Sequence, residues 1–211
     1  MKNYLTIARD GEHEFVEKKS RFICHLKRVK TEDEAREFIL SVKKLHFKAR
    51  HNCSAFVLGT DSAIKRSSDD GEPSGTAGIP ILEVLLKNEL TDVVAVVTRY
   101  FGGIKLGAGG LIRAYSTSVS EAVATVGIAE NKLVSVITFS VEYPLYSPLE
   151  NFISSSSYTL NDSAFDEKVT LSVLVDSGSE EQFEHEIRDL TSGKYTIIST
   201  ESKYIEIPTV F

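Results

Sequence analysis

The chain is poor in the residues that build disulfide frameworks and structural zinc sites. It has only two cysteines in 211 residues, and its five histidines are scattered without metal-binding spacing. A disulfide-stapled domain is therefore not expected, and a reducing cytoplasm is the compartment that we predict. No apolar run is long enough to span a bilayer, and the first residues lack the hydrophobic stretch of a signal peptide. We therefore expect no membrane association.

The established nucleotide-binding motifs are missing as well. A phosphate loop of the nucleotide-hydrolase kind needs four residues between its first glycine and Gly-Lys-Ser/Thr, and this spacing does not occur. Counted from Gly107, the dinucleotide fingerprint finds Gly109 in place, but Ile112 stands where its last small residue belongs. No serine or threonine lies in a nucleophile elbow. The common nucleotide-binding folds are therefore not predicted.

Glycine, by contrast, is concentrated in one region, because eight of the thirteen glycines lie between Gly71 and Gly110. The richest part, Arg99–Arg113, follows the buried-strand pattern Val93–Val97 and leads into a helical pattern. Glycine lets a backbone approach a ligand closely, and the free N–H groups at a helix N-terminus attract anions. We interpret the segment as a strand–loop–helix that holds phosphate. The alternative is a tight turn packed against a sheet.

The predicted phosphate contacts are cations and backbone groups around this turn, with three earlier cations as outer contacts. The inner set is Arg99, Lys105, Gly107, Gly109, Gly110 and Arg113, and the outer set is Lys18, Lys19 and Arg21. Arg113 lies one turn inside the predicted helix, so the sheet is an alternative neighbour for it.

A second polar segment, Asp69–Gly78, precedes a predicted helix over Ile79–Leu90. Its three carboxylates are those of Asp69, Asp70 and Glu72. Carboxylate oxygens suit Mg²⁺, so a phosphoryl-transfer or hydrolytic enzyme with Asp69 and Asp70 on the metal is a second function class. The alternative is a solvated loop with Thr76 capping the helix, and no other cofactor is predicted.

His51 and Cys53 are two residues apart on a predicted strand and so face the same side. An exposed pair of this kind would activate the thiol as a nucleophile. A buried structural cysteine is the favoured interpretation, because free cysteines are commonly buried.

Charge is distributed unevenly along the chain. Residues 1–130 carry a net charge of +2 and residues 131–211 a net charge of −8. Residues 18–50 hold eleven Lys or Arg but only four Asp or Glu, which suits a phosphate backbone or, alternatively, the solvated face of a helix. The acidic second part argues against a protein that coats nucleic acid along its whole length.

Four separated motifs, in this order, resemble the YigZ/Impact family over about residues 15–125. They read Lys19-Ser20-Arg21-Phe22, then His51-Asn52-Cys53, then Asp69-Asp70-Gly71-Glu72-Pro73-Ser74-Gly75-Thr76-Ala77-Gly78, then Val96-Val97-Thr98-Arg99-Tyr100-Phe101-Gly102-Gly103-Ile104-Lys105-Leu106-Gly107. The resemblance implies an Impact-type domain over residues 1–130, with a ribosomal-S5-domain-2-like α+β fold. It also implies a second domain over residues 131–211 that is similar to an elongation-factor domain.

Periodicity divides the rest of the chain into strands and helices. In the first part it predicts strands at Phe15–Val16 and Phe22–Val29, a helix capped by Thr31 that reaches about Phe47, and a hairpin of Cys53–Leu58 with Ala63–Arg66. In the second part it predicts a strand near Val134–Glu142, a helix at Pro148–Ser156, strands at Tyr158–Leu160 and Glu167–Val175, a helix capped by Ser179, and strands at Tyr195–Ser199 and Tyr204–Ile207. The order βαββαβ in the second part is ferredoxin-like.

The sequence thus predicts a cytoplasmic two-domain α+β protein that binds RNA or the ribosome and regulates translation. The magnesium-dependent enzyme stays as one alternative. A second alternative is a protein-partner module, since the family's eukaryotic relatives are implicated in restraining a starvation-responsive translation kinase.

Overall fold

A computed structural model describes residues 3–208, which divide into two compact units. The first unit comprises residues 3–131 with 206–208, and the second comprises Lys132–Ile205. Both units mix helices with antiparallel sheet, so the predicted α+β class is confirmed. Within the described residues, no helix is both long and apolar enough to cross a membrane.

The first unit is built on a five-stranded antiparallel sheet with helices on both faces. The strands of the unit as a whole are β1 (Tyr4–Ile7), β2 (Gly11–Glu17), β3 (Ser20–Arg28), β4 (His51–Leu58), β5 (Ile64–Ser68) and β6 (Val93–Tyr100). Its helices are α1 (Glu32–Leu45), α2 (Gly78–Lys87) and α3 (Ala108–Val126). The sheet order is β2-β3-β6-β4-β5, and β1 lies outside it, paired with the first residues of β7 (Ile128–Val141).

The middle strand β6 is buried on both faces, as its uncharged β-branched sequence predicts. Because side chains alternate along a strand, Val93 and Val97 enter the core formed with α2 and α3. Val94 and Val96 enter the smaller core on the opposite face, with the residues of α1. This rigid strand delivers its last residues, Arg99 and Tyr100, to the edge of the sheet.

Helix boundaries agree with the sequence where the cap is local. Thr31 caps α1 as predicted, since its hydroxyl accepts the N–H of Glu34 at 3.2 Å, although the helix ends at Leu45 rather than Phe47. Helix α2 begins one residue before the predicted Ile79 and ends three before Leu90. There the chain turns through Glu89, whose φ of +55° is incompatible with a helix.

The connection between β2 and β3 is shorter than the sequence suggests. Both strands extend beyond their predicted ends, so the connection is not the five residues between the predicted strands but the two-residue turn Lys18–Lys19. The φ angles of these lysines are +47° and +66°, in the left-handed region that hairpin turns of this length require. Glycine or asparagine usually occupies such positions, so the two lysines are held in a strained backbone.

The second unit has the βαββαβ order that the sequence predicts. After β7 come a 3-10 turn (Tyr143–Leu145), α4 (Tyr146–Ser155), β8 (Thr159–Phe165), β9 (Val169–Asp176), α5 (Glu180–Thr191) and β10 (Tyr195–Pro208). The sheet order is β10-β7-β9-β8, and the alternate residues of β9 pack against both helices. The two strands predicted at the C-terminal end are one continuous strand, β10.

The prediction that the Ser179 side chain caps α5 is wrong, although Ser179 does precede the helix. Ser179 stands at the cap position, but its side chain makes no capping hydrogen bond. The carboxylate of Glu180 instead accepts the N–H of Gly178 at 2.8 Å and the hydroxyl of Ser135. These hydrogen bonds hold the pKa of Glu180 below its ordinary value, with the Ser135 hydroxyl as the main cause.

Candidate functional site

An open cleft of about 800 Å³ lies in the first unit, beside the end of β6 and the start of α3. Four of its lining residues are cations: Lys48, Arg50, Arg99 and Lys105. The other lining residues are Ala49, His51, Glu72, Pro73, Tyr100, Phe101, Leu106, Gly107, Ala108 and Leu111. The single acidic side chain among them is that of Glu72, so the cleft carries an excess of positive charge.

Residues 69–77, here called the acidic loop, are organised by the carboxylate of Asp69. It accepts the backbone N–H groups of Gly75 at 2.8 Å, Ala77 at 3.0 Å and Gly78 at 2.8 Å. Burial alone would raise the pKa of Asp69, but these three donors outweigh burial and hold the pKa below its ordinary value of 3.8. Asp69 therefore both closes the loop and caps α2 from outside the helix.

The predicted cap at Thr76 is consequently wrong. Its hydroxyl donates to the carbonyl of Pro73 at 2.6 Å, inside the acidic loop, and its side chain is buried. Position 77 precedes the helix and carries an alanine, which has no capping group. The N–H groups of Ala77 and Gly78 at the start of α2 instead donate to Asp69, which lies eight and nine residues before them in the sequence.

Magnesium has no ready place on the acidic loop. The carboxylate of Asp70 accepts Lys43 Nζ at 2.6 Å and the N–H of Asn52 at 2.7 Å. Together with the three donors on Asp69, this engages all four carboxylate oxygens with donors from the chain itself. Among residues 3–208, no group of three metal-ligating side chains is placed to hold an ion. The carboxylates of Asp69 and Asp70 therefore stabilise the fold of the acidic loop.

A buried hydrogen-bond network forms the floor of the cleft. Oε1 of Glu72 accepts Arg99 Nη1 at 2.7 Å and the hydroxyl of Tyr115 at 2.8 Å. Arg99 is only 8% exposed, and its guanidinium lies over the rings of Phe22 and Phe101, 5.5 and 5.7 Å from their centres. Arg99 Nε has no hydrogen-bond partner in the described part of the chain. Burial raises the pKa of Tyr115, so its hydroxyl stays a donor.

Cys53 joins this network as a buried residue, which confirms the structural interpretation of that cysteine. Its Sγ donates to the carbonyl of Asp69 at 2.9 Å and lies 3.3 Å from the hydroxyl of Tyr115. Burial raises the pKa of the Cys53 thiol to about 12. A raised pKa keeps the thiol protonated at neutral pH, which disfavours the thiolate that a nucleophile requires.

Residues 101–107, here called the glycine loop, run from β6 to α3. A Cβ on Gly102 would lie 2.0 Å from the carbonyl carbon of Lys19, and the N–H of Gly102 donates to Ser20 Oγ at 3.1 Å. Gly103 and Gly107 have positive φ angles and open space around them. Close packing thus explains Gly102, while Gly103 and Gly107 have exposed backbone, and that of Gly107 lines the cleft.

The predicted phosphate residues do not all reach one surface. Lys105, Arg99 and Gly107 line the cleft, and Gly109 and Gly110 lie in the first turn of α3. Arg113 is exposed and lines a separate depression of about 220 Å³ together with Lys18. Arg21 is paired with Glu14 at 2.7 Å, which raises the pKa of Arg21 and lowers that of Glu14. The side chain of Lys19 is exposed at the hairpin turn.

Sequence reasoning missed Lys48 and Arg50 as individual site residues, although it counted them in the basic segment 18–50. Much of that segment is used elsewhere: Arg28 donates to the carbonyls of Ile7 and Ala8, and Lys43 pairs with Asp70. The sequence did contain a signal for these two residues, because both lie within three residues before the His51 motif at the start of β4.

A chain of ring contacts fixes Tyr100 at the rim of the cleft. Its hydroxyl lies 3.0 Å from His46 Nδ1, and His46 Nε2 lies 3.0 Å from His25 Nε2. His25 is nearly buried and also contacts Glu12 at 3.0 Å. Burial lowers the pKa of His25, which favours the neutral form of its ring. These contacts bind the end of α1 to β3 and β6.

Comparison with known proteins identifies relatives along nearly the whole chain. Residues 18–123 match the family model of the Impact N-terminal domain, and residues 139–194 match a domain of unknown function, DUF1949. The chain is 50% identical to IMPACT family member YvyE of Bacillus subtilis, over 97% of this chain and 94% of that protein. It is 34% identical to IMPACT family member YigZ of Escherichia coli, over 87% and 91%. A crystal structure titled as that of a hypothetical protein superposes with a TM-score of 0.61 at 32% identity, covering 95% of this chain and 98% of the other.

Proposed function

The chain belongs to the IMPACT family, and we propose that it binds RNA, free or in the ribosome, and thereby modulates translation in the cytoplasm. The observation that carries this proposal is the cation-lined cleft beside the glycine loop. Neutralising phosphates with Lys and Arg releases counterions, which supplies most of the affinity of sequence-independent nucleic-acid binding.

Charge supports an anionic ligand for this cleft. The buried pair of Arg99 with Glu72 is electrically balanced, which leaves Lys48, Arg50 and Lys105 as the net positive charge of the lining. These three residues come from two different segments of the lining, the one before β4 and the one before α3. A phosphodiester backbone presents negative charges at a spacing that such a groove can follow.

The backbone supports the same ligand. Helix α3 starts at the cleft with Gly107 as its capping residue, which has no side chain to bond to the first N–H groups of the helix. Its first turn also has no acidic residue. The positive end of the helix is therefore available to an anion, as it is at phosphate-binding helix termini.

Aromatic side chains favour RNA over a simple anion. Phe101, in the lining, is 57% exposed, and Phe47, next to the lining residue Lys48, is 76% exposed. Lys48 Nζ lies over the Phe47 ring, 5.7 Å from its centre. Exposed rings flanked by cations are the platforms on which unstacked bases of RNA are held.

The test is binding of a fluorescently labelled RNA with an unpaired loop, measured by anisotropy across a salt series. Wild-type protein, Lys105→Ala and Lys87→Ala are compared, because Lys87 is an exposed lysine of α2 outside the cleft. We expect micromolar binding, and a fall in the logarithmic salt slope of about 1 for Lys105→Ala with none for Lys87→Ala.

Two results would overturn the proposal. One is the absence of RNA binding at low salt, and the other is an equal effect of the two lysine substitutions. Complexes from cell extract that persist after nuclease treatment would, in the first case, indicate a protein partner instead.

A further inference from the structure

His51 is held in one orientation at the wall of the cleft. Its Nδ1 lies 3.0 Å from the carbonyl oxygen of Asp70. A carbonyl oxygen only accepts hydrogen bonds, so Nδ1 must carry the hydrogen. Asp70 is itself fixed by Lys43 and Asn52, and a Cβ on Gly71 would already contact the imidazole at 3.4 Å.

In the neutral imidazole, the other ring nitrogen of His51 is consequently a hydrogen-bond acceptor. A neutral imidazole has one N–H, so with Nδ1 protonated the lone pair is on Nε2. No residue in the described part of the chain forms a hydrogen bond with Nε2. The neighbouring side chains of Lys48, Arg50 and Lys105 can only donate. His51 thus adds a hydrogen-bond acceptor to a cleft whose cationic side chains can only donate hydrogen bonds.

We propose that His51 Nε2 accepts a hydrogen bond from a ribose 2′-hydroxyl, which makes the cleft selective for RNA over DNA. Phosphate oxygens only accept hydrogen bonds, so the cations serve both nucleic acids equally. The 2′-hydroxyl can donate, and it is the group by which a protein distinguishes the two. This inference rests on the proposed RNA-binding function and assigns the substrate specificity of the same cleft to one residue.

The experiment compares four single-stranded oligonucleotides of one sequence: RNA, DNA, 2′-fluoro RNA and 2′-O-methyl RNA. The 2′-fluoro form keeps a ribose-like sugar conformation but has no hydrogen to donate. We expect wild-type protein to bind RNA about fivefold more tightly than each of the other three, as one neutral hydrogen bond would give.

The matched variants are His51→Phe, which keeps a planar ring without the acceptor, and His185→Phe, at an exposed histidine of α5. We expect His51→Phe to bind all four oligonucleotides equally and His185→Phe to keep the preference. Thermal unfolding checks that both variants are folded, and the four-oligonucleotide comparison on wild-type protein is independent of either variant.

The outcomes separate this inference from the function on which it rests. Equal wild-type affinity for RNA and 2′-fluoro RNA would overturn the role of His51 and leave RNA binding in place. A preference that persists in folded His51→Phe would do the same. Failure to bind any of the four would overturn both.

Discussion

The acidic loop and the glycine loop are similar in sequence character and opposite in use. Both contain more than one glycine, both carry at least one charged side chain, and both lead into a helix of the first unit. In the acidic loop, the carboxylates of Asp69 and Asp70 accept five donors from the chain itself. In the glycine loop, Lys105 is exposed, and Gly103 and Gly107 have open space around them.

The difference shows that residue type alone does not separate a scaffold from a binding surface. A loop whose charged groups are paired internally stabilises the fold and has little left for a ligand. A loop whose cations and N–H groups meet water retains its capacity to bind an anion. The same contrast appears at the helix starts, since the carboxylate of Asp69 caps α2 whereas the cap position of α3 is Gly107, which has no side chain.

The largest effect is expected from Asp69→Ala. Three backbone N–H groups would lose a charged acceptor, and we expect the free energy of unfolding to fall by about 3 kcal/mol. Urea unfolding of Asp69→Ala and Lys105→Ala measures the contrast, with about 0.5 kcal/mol or less expected for Lys105→Ala. If the two substitutions cost the same, the distinction between the loops fails.

The pH dependence of the unfolding free energy provides a second test of the stabilising role of Asp69. Since its pKa is lower in the folded state, its contribution is present above the ordinary value of 3.8 and is lost as pH falls through the folded value. We expect wild-type stability to fall more steeply than that of Asp69→Asn as pH drops below about 4. Parallel curves would mean that Asp69 is not the group responsible.

Gly102→Ala tests whether the glycine loop is open along its whole length. The added Cβ would overlap the Lys19 carbonyl, so we expect a loss of about 2 kcal/mol from strain at the hairpin turn. Gly103→Ala meets no neighbour, and only its φ of +87° opposes the change, at about 1 kcal/mol. Thermal unfolding compares the two, and the reverse order would contradict the packing described for Gly102.

Lys19→Gly is expected to have the smallest effect and the opposite sign. Glycine removes the strain of the left-handed backbone at this position, so we expect a gain of roughly 1 kcal/mol in unfolding free energy. The same variant loses an outer cation, so its affinity for RNA should fall. A variant that is more stable but binds RNA as wild type does would remove Lys19 from the predicted contacts.

The sequence predicted those strands and helix starts that depend on residues close together in the chain. The uncharged run Val93–Val97, the alternation in β9 and the Thr31 cap each depend on neighbouring residues, and the structure contains all three. Family resemblance placed the motifs in one domain. It did not say which carboxylates would be used internally.

The rest depended on partners distant in the chain. Glu72 meets Arg99 and Tyr115, which lie 27 and 43 residues away, and no periodicity encodes that meeting. Lys48 and Arg50 reach the cleft because β4 lies beside β6 in the sheet. The start of α2 also depends on a distant partner, since the helix is capped by Asp69 and not by an adjacent side chain.

Burial of both cysteines has a practical consequence for labelling. Cys24 and Cys53 are buried, and burial raises the pKa of each thiol, so neither presents a thiolate to maleimide reagents at neutral pH. A single cysteine introduced at an exposed position, such as Ile104 in the glycine loop, would therefore react selectively. One fluorophore there would report ligand binding directly, without removal of either native thiol.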